Sequence, residues 1–219
     1  MNAGEELFST FGVEGVSLRS IEVAAGVTPA VLQYHFHSKD RLVEAIIARR
    51  GEALWRRMND LLDALEARGR PPTTRDVVKA IALPFLEMLE REPVDALRWT
   101  RLIARLVLGQ HPCLRRLTAR PGGGEERFAR FVRWAFPDVP EPRLERAWRI
   151  SYNILMLMLG TSDARFAHGA EGEDSRISQA YVDTLIDFVA SGFTVALARE
   201  RGATPNQPIR TPKARRIGR

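Results

Sequence analysis

Apolar residues recur along this chain at helical spacing, and no stretch alternates as a strand would. Near the start, Leu7, Phe8 and Phe11 form an i, i+1, i+4 patch. Leu18, Ile21 and Ala25 then fall at i, i+3 and i+7, a stripe that predicts a helix capped by the Ser17 hydroxyl. Gly26 stands where that helix must end, because glycine takes a left-handed backbone without a Cβ clash. Val27 reads as a buried plug. Thr28 reads as the cap of a second helix, with Pro29 at the position where a missing N–H costs nothing. On that helix Val31, Leu32 and Phe36 are predicted to face inward, leaving Pro29, Ala30, Gln33 and Tyr34 outward. A long helix is predicted from Ser38 to about residue 67, with an inward stripe through Leu42, Ile46, Leu54, Met58, Leu61 and Leu65 and one interruption at Gly51. Beyond a proline-rich break at 68–74, helices are predicted over 75–91, 94–110, 124–136, 141–168 and 176–201. The H-P-C and R-P-G-G-G stretches between 110 and 124 read as breaks.

Two short helices joined by a glycine turn define a helix-turn-helix, a unit whose second helix can enter the DNA major groove. The expectation is therefore an all-α chain: a three-helix, helix-turn-helix DNA-binding domain over 1–46, and a larger helical ligand-binding and dimerisation domain over 47–201. Residues 202–219 lack periodicity, hold three prolines and five basic groups, and are expected to form a disordered basic tail. The net charge of +6 is concentrated in that tail. Residues 1–50 hold five basic and six acidic groups, a balance of −1, so bulk charge does not mark the helix-turn-helix as a DNA site. Only Lys39, Lys79 and Lys213 among the 33 basic residues are lysines, a bias that discourages a role for each arginine.

No uninterrupted apolar run reaches the ~18 residues of a membrane span, and the start lacks a signal peptide's pattern, so a cytoplasmic protein with no membrane partner is expected. The single cysteine, Cys113, excludes an intrachain disulfide and a Cys-based zinc site, and reads as an inert, partly buried thiol. Gly122, Gly123 and Gly124 precede Glu125 and Glu126, whose charge would repel a phosphate, so they read as a loop. His35 and His37 are badly spaced for chelation from one helix face. With no nucleophile elbow, Walker loop, dinucleotide fingerprint or H-E-x-x-H, no metal, cofactor or enzymatic activity is expected.

The string L-Q-Y-H-F-H-S-K-D-R-L, joined without a gap to A-A-G-V, resembles the signature of the tetracycline-repressor (TetR) family of bacterial transcription regulators. The upstream L-F-S-T-F-G-V-E-G fits the end of that family's first helix. The resemblance implies a homodimeric regulator that holds a palindromic double-stranded operator and is released by a small-molecule inducer. It implies that Pro29, Ala30, Val31 and Gln33 face base edges, where Gln33 can pair with adenine and the apolar groups can meet thymine methyls. Arg19 would reach a guanine or a phosphate. Tyr34, His35 and Lys39 would anchor phosphates, and Ser17 and Thr28 would cap and touch phosphate. Two features depart from the family. Six residues precede Leu7 where the family carries about two more helical turns, so either the start codon is placed too far downstream or the first helix is truly short. The lost turns imply missing phosphate contacts, which an upstream extension would restore if the gene encodes one. Glu22 stands where the family has alanine.

In the body, Phe85, Met88, Trp99, Leu102, Ile103, Tyr152 and Met156 are the candidate lining for an apolar or amphipathic inducer, with methionines suited to varied shapes. Arg98, Arg101 and Arg105 share one helix face, which reads either as a solvated face or as a clamp for an acidic head group. Residues 152–159 are apolar almost all round, as for a helix between a core and a partner. The last two helices are therefore expected to form a four-helix bundle with a second copy through Trp148, Leu155, Tyr181, Leu185, Phe188, Val189, Gly192 and Phe193. A rival reading, prompted by the short first helix and the −1 balance, is a helical small-molecule-binding or interaction protein with impaired DNA binding.

Overall fold

A computed structural model describes residues 1–118, 124–161 and 178–198. Its elements are helices: α1 (Asn2–Phe11), α2 (Leu18–Ala25), α3 (Pro29–Phe36), α4 (Lys39–Glu66), α5 (Thr74–Arg91), α6 (Pro93–Leu108), α7 (Pro112–Thr118), α8 (Gly124–Ala135), α9 (Glu141–Thr161) and α10 (Gln179–Ala198). The ends of the predicted helices beyond Thr161 and Ala198, Gly122, Gly123, and the basic tail lie outside the described residues.

Local chemistry sets the head. Ser17 Oγ accepts from the Ser20 N–H at 3.1 Å while Ser20 Oγ accepts from the Ser17 N–H at 3.2 Å, a reciprocal cap that satisfies two free donors. Gly26 ends α2 at φ 64°, the left-handed region. Thr28 sits in the cap position of α3, but its hydroxyl makes no capping bond, contrary to expectation. Its carbonyl serves instead, accepting from Val31 at 3.1 Å and Leu32 at 3.2 Å. Leu32 is buried and Phe36 half-buried, so one i, i+4 stripe anchors α3. Val31 lies off that stripe and is 44% exposed, and Val27 is half-buried rather than enclosed.

α4 runs unbroken through Gly51, because buried Ile47 before it and Leu54 and Met58 after it hold both halves on the core. α6 is the central strut, packing on α1, α5 and α9. Buried Trp99 on α6 donates its Nε1–H to the Ile46 carbonyl of α4 at 3.0 Å, and Arg105 Nη2 donates to the Thr10 carbonyl of α1 at 3.1 Å. Head and body thus share one continuous core.

The H-P-C region, read from sequence as a break, forms α7. His111 Nδ1 accepts from the Cys113 N–H at 3.3 Å, Pro112 opens the helix, and fully buried Cys113 seats it. Arg116 then donates to Asp40 at 2.8 Å and Glu44 at 2.9 Å, fastening α7 to the start of α4. Burial pushes the Cys113 thiol up to about 11, as an inert thiol requires.

By length and composition α10 is apolar enough to cross a membrane, although its sequence holds no uninterrupted apolar run of that length. Asp183 and Asp187 interrupt its sequence and both pair with Arg75 of α5. Val182, Ile186 and Phe193 bury the opposite face in the core.

Candidate nucleic-acid interface

The outer surface of α3 carries Pro29, Ala30, Val31, Gln33, Tyr34 and His35, all exposed, with Tyr34 at 78%. Among the described residues, Arg19 and Gln33 have no side-chain hydrogen bond or ion pair, so their donors are free. Tyr34 and His35 stack edge to face at 5.3 Å. Ser17 caps the N-terminus of α2. The helix therefore offers mixed donors and small apolar groups over one buried leucine, a surface with no partner inside the protomer.

Lys39 is placed differently from a free anchor. Its Nζ donates to the Val13 carbonyl at 2.9 Å and the Val16 carbonyl at 3.3 Å, with Glu14 at 4.0 Å. The ammonium thus splints the loop that delivers α2, a task which sequence spacing did not reveal. Arg116 was also missed. Through Asp40 and Glu44 it neutralises two acids of the head from the body, and Arg49 pairs with buried Glu5, so the −1 balance of residues 1–50 does not describe the surface. Burial holds the Glu5 carboxyl above its usual range despite Arg49. Glu22 has no ion pair among the described residues and lines a cleft of about 380 Å³ between α2 and α3, beside Pro29, Ala30 and Gln33.

In the body, Phe85, Met88, Trp99, Leu102, Ile103 and Met156 are all buried, and Tyr152 is half-buried. Phe85 lies 6.2 Å from Trp99, ring centre to ring centre. These side chains belong to the core, where α6 packs on α5 and on α9, and none of them lines the cleft between α2 and α3 or the one between α1, α6 and α9. Four of the residues expected at the dimer interface, Leu155, Leu185, Val189 and Phe193, are likewise buried within the protomer. Trp148 is drawn inward by Phe128 at 4.4 Å and Phe193 at 6.0 Å. Phe188, at 68%, and Gly192 remain exposed, with Tyr181 half-buried beside them. Val195, one to two turns on, and Ile150 of α9 are exposed too, at 53% and 62%.

A helix-turn-helix head carried on a long helix of an all-α body defines the class of protein. Residues 1–46 match the family model for bacterial regulatory proteins of the tetR family, and residues 79–192 match that for the tetracyclin repressor-like C-terminal domain. The chain belongs to the TetR family of bacterial regulators. It is 31% identical over 65 residues to the HTH-type transcriptional regulator UidR of Escherichia coli K12, a match spanning 30% of this chain and 33% of that relative. The fold is shared with the TetR family regulator PfmR from Thermus thermophilus, at 18% identity and TM-score 0.50, covering 90% of this chain and 97% of that one. It is shared also with SCO3833, a TetR family member from Streptomyces coelicolor, at 19% identity and TM-score 0.51, covering 91% and 90% respectively.

Proposed function

We propose that this chain is a homodimeric, DNA-binding transcription regulator of the cytoplasm, a repressor released from a palindromic operator by a small-molecule inducer. The observation that carries the reading is the outward face of α3. Pro29, Ala30, Gln33 and Tyr34 are exposed there, and Gln33 has no hydrogen-bond partner among the described residues. In this reading residues 1–46 are the DNA-binding head, and the body from 47 to 201 binds inducer and pairs with its copy. Gln33 and the small apolar residues read base edges, while Arg19, Tyr34, His35 and Ser17 meet backbone phosphates. Two heads are needed because each reads half a site, and the half-sites lie about 34 Å or a multiple of it apart.

Repression and release follow from the ties between body and head. α4 carries the head directly, and Trp99, Arg105 and Arg116 attach α4 and α1 to α6 and α7. An inducer that prefers a different arrangement of those helices shifts the heads out of register, by no more than its difference in affinity for the two shapes.

A salt-dependent gel shift on the chain's own upstream region, followed by a randomised-site selection, tests the reading. Wild type should select a palindrome, and Gln33→Ala should relax one position per half-site by ~1–3 kcal/mol. Tyr34→Ala should weaken all sequences alike. Selection of no palindrome by the wild type, or an unchanged preference in Gln33→Ala, would contradict the assignment.

A further inference from the structure

A cleft of about 440 Å³ opens between the end of α1, the second half of α6 and the end of α9. Its size lies within the ~300–1,000 Å³ of small-ligand sites. Arg101 and Arg105, one turn apart on α6, stand beside Ala104, Leu108 and Leu157, and no acid lines the cleft. Neither arginine forms an ion pair among the described residues. Arg101 Nε donates to the Gly160 carbonyl at 3.2 Å, and Arg105 Nη2 to the Thr10 carbonyl at 3.1 Å. Those carbonyls belong to the last turns of α9 and α1, where each helix dipole contributes about −0.5 charge. Two full positive charges therefore leave the cleft net positive by about one unit.

The other polar groups are committed. Ser9 Oγ donates to the Glu6 carbonyl at 2.9 Å and Thr161 Oγ1 to the Leu157 carbonyl at 2.7 Å. Donors into the cleft are thus the remaining N–H groups of the two guanidinium forks, which suit a planar two-oxygen anion. Leu108 and Leu157 are 44% and 43% exposed and give the cleft an apolar wall. Its floor is firm, since a Cβ on Gly160 would lie 2.7 Å from the Ala104 Cβ, and α6 and α9 touch there.

We propose that this cleft binds a small amphipathic carboxylate, its oxygens bridging Arg101 and Arg105 and its short apolar tail lying along Leu108 and Leu157. The site differs from the apolar core that the sequence nominated as the inducer pocket. Arg105 is also the side chain that ties α6 to the end of α1, so a carboxylate drawing it away from Thr10 loosens the head from the strut. This regulatory consequence rests on the regulator reading above; the binding itself does not.

Hexanoate is the probe, titrated calorimetrically into the full chain at low salt and without DNA, with acetate and 1-hexanol as the head-only and tail-only controls. Hexanoate should saturate one site per chain and bind at least tenfold more tightly than either control. The Arg101→Gln/Arg105→Gln double variant, and separately Leu108→Glu at an exposed position, should each weaken it at least tenfold, with circular dichroism confirming the fold. Hexanoate that binds no better than 1-hexanol, or equally well to both variants, overturns the site. Operator affinity is then measured with and without saturating hexanoate. A change in wild type that is absent from the double variant supports the coupling, and no change in wild type overturns it. Operator binding that is intact when hexanoate fails to bind defeats this inference alone. Hexanoate binding by a chain that selects no operator defeats the regulator reading and leaves the site standing.

Discussion

Phe188 and Val189 are adjacent on α10 yet sit in opposite environments, 68% and 3% exposed, and substituting each by aspartate separates dimerisation from folding. An enclosed aromatic side chain covers about 150–250 Å², so hiding the exposed part of Phe188 removes roughly 100–170 Å² from water. At about 25 cal/mol per Å² that stabilises the pair by ~2.5–4 kcal/mol per copy. A two-fold interface counts the contact twice, so the upper bound is about 5–8 kcal/mol. With about 1.4 kcal/mol per tenfold change, lost burial alone in Phe188→Asp should raise the dimer dissociation constant by up to about four to six orders of magnitude. The desolvation of the introduced charge adds to this. Sedimentation velocity at micromolar concentration reads the outcome. Wild type should sediment as a dimer and Phe188→Asp as a monomer with unchanged circular dichroism. Val189→Asp should instead lose the fold, because its charge enters the protomer core. Operator binding should vanish in Phe188→Asp although α3 is untouched. A monomeric wild type, or a Phe188→Asp variant that stays dimeric, refutes the placement of the interface on this face.

Trp99→Phe removes the bond to the Ile46 carbonyl and part of a packed ring, and should lower stability by about 2 kcal/mol in chemical denaturation. An unchanged midpoint would show that α4 and α6 hold together without it. Gly160→Ala forces a methyl to 2.7 Å from the Ala104 Cβ and should cost ~1–3 kcal/mol, with Ala104→Gly in the same chain recovering most of the loss. Failure of that recovery would place the strain elsewhere. Burial raises the Asp76 carboxyl, but the hydrogen bonds from Thr73 together with the charges of Arg68 and Arg70 outweigh it and hold the group below its usual value. Its contribution is therefore present above pH ~4 and lost as pH falls through the lowered folded value, so wild type should lose stability below pH ~4 more steeply than Asp76→Asn. Parallel acid melting curves for the two proteins would argue against the cap.

Much of the head was legible from residues alone, because its determinants act within a few positions. The Ser17 cap, the left-handed Gly26 and the Pro29 entry are local backbone preferences, and the family signature lies across the same residues. Helix positions in the body were legible for the same reason, since a 3.6-residue stripe marks a helix wherever it folds. α7 escaped that reading. Seven residues carry too short a stripe, and its stability comes from Cys113 sinking beside α4 and from Arg116 reaching Asp40 and Glu44, more than 70 positions away in the chain.

Periodicity also identifies apolar faces without naming what covers each one. α10 has two such faces, and Leu185, Val189 and Phe193 go to the protomer core while Phe188 and Val195 stay outside. The same uncertainty made Phe85, Trp99 and Met156 candidates for an inducer pocket, where the tertiary structure buries all three, and left Arg101 and Arg105 readable as either a solvated face or a clamp until α1 and α9 were set against α6. Lys39 shows it at the scale of one side chain: its motif implies a phosphate, while the carbonyls of Val13 and Val16 hold its ammonium in the free protein. Helix formation is decided by neighbours three and four residues apart. The choice of which face is buried belongs to contacts between distant segments, whose burial energies only the assembled tertiary structure brings into competition.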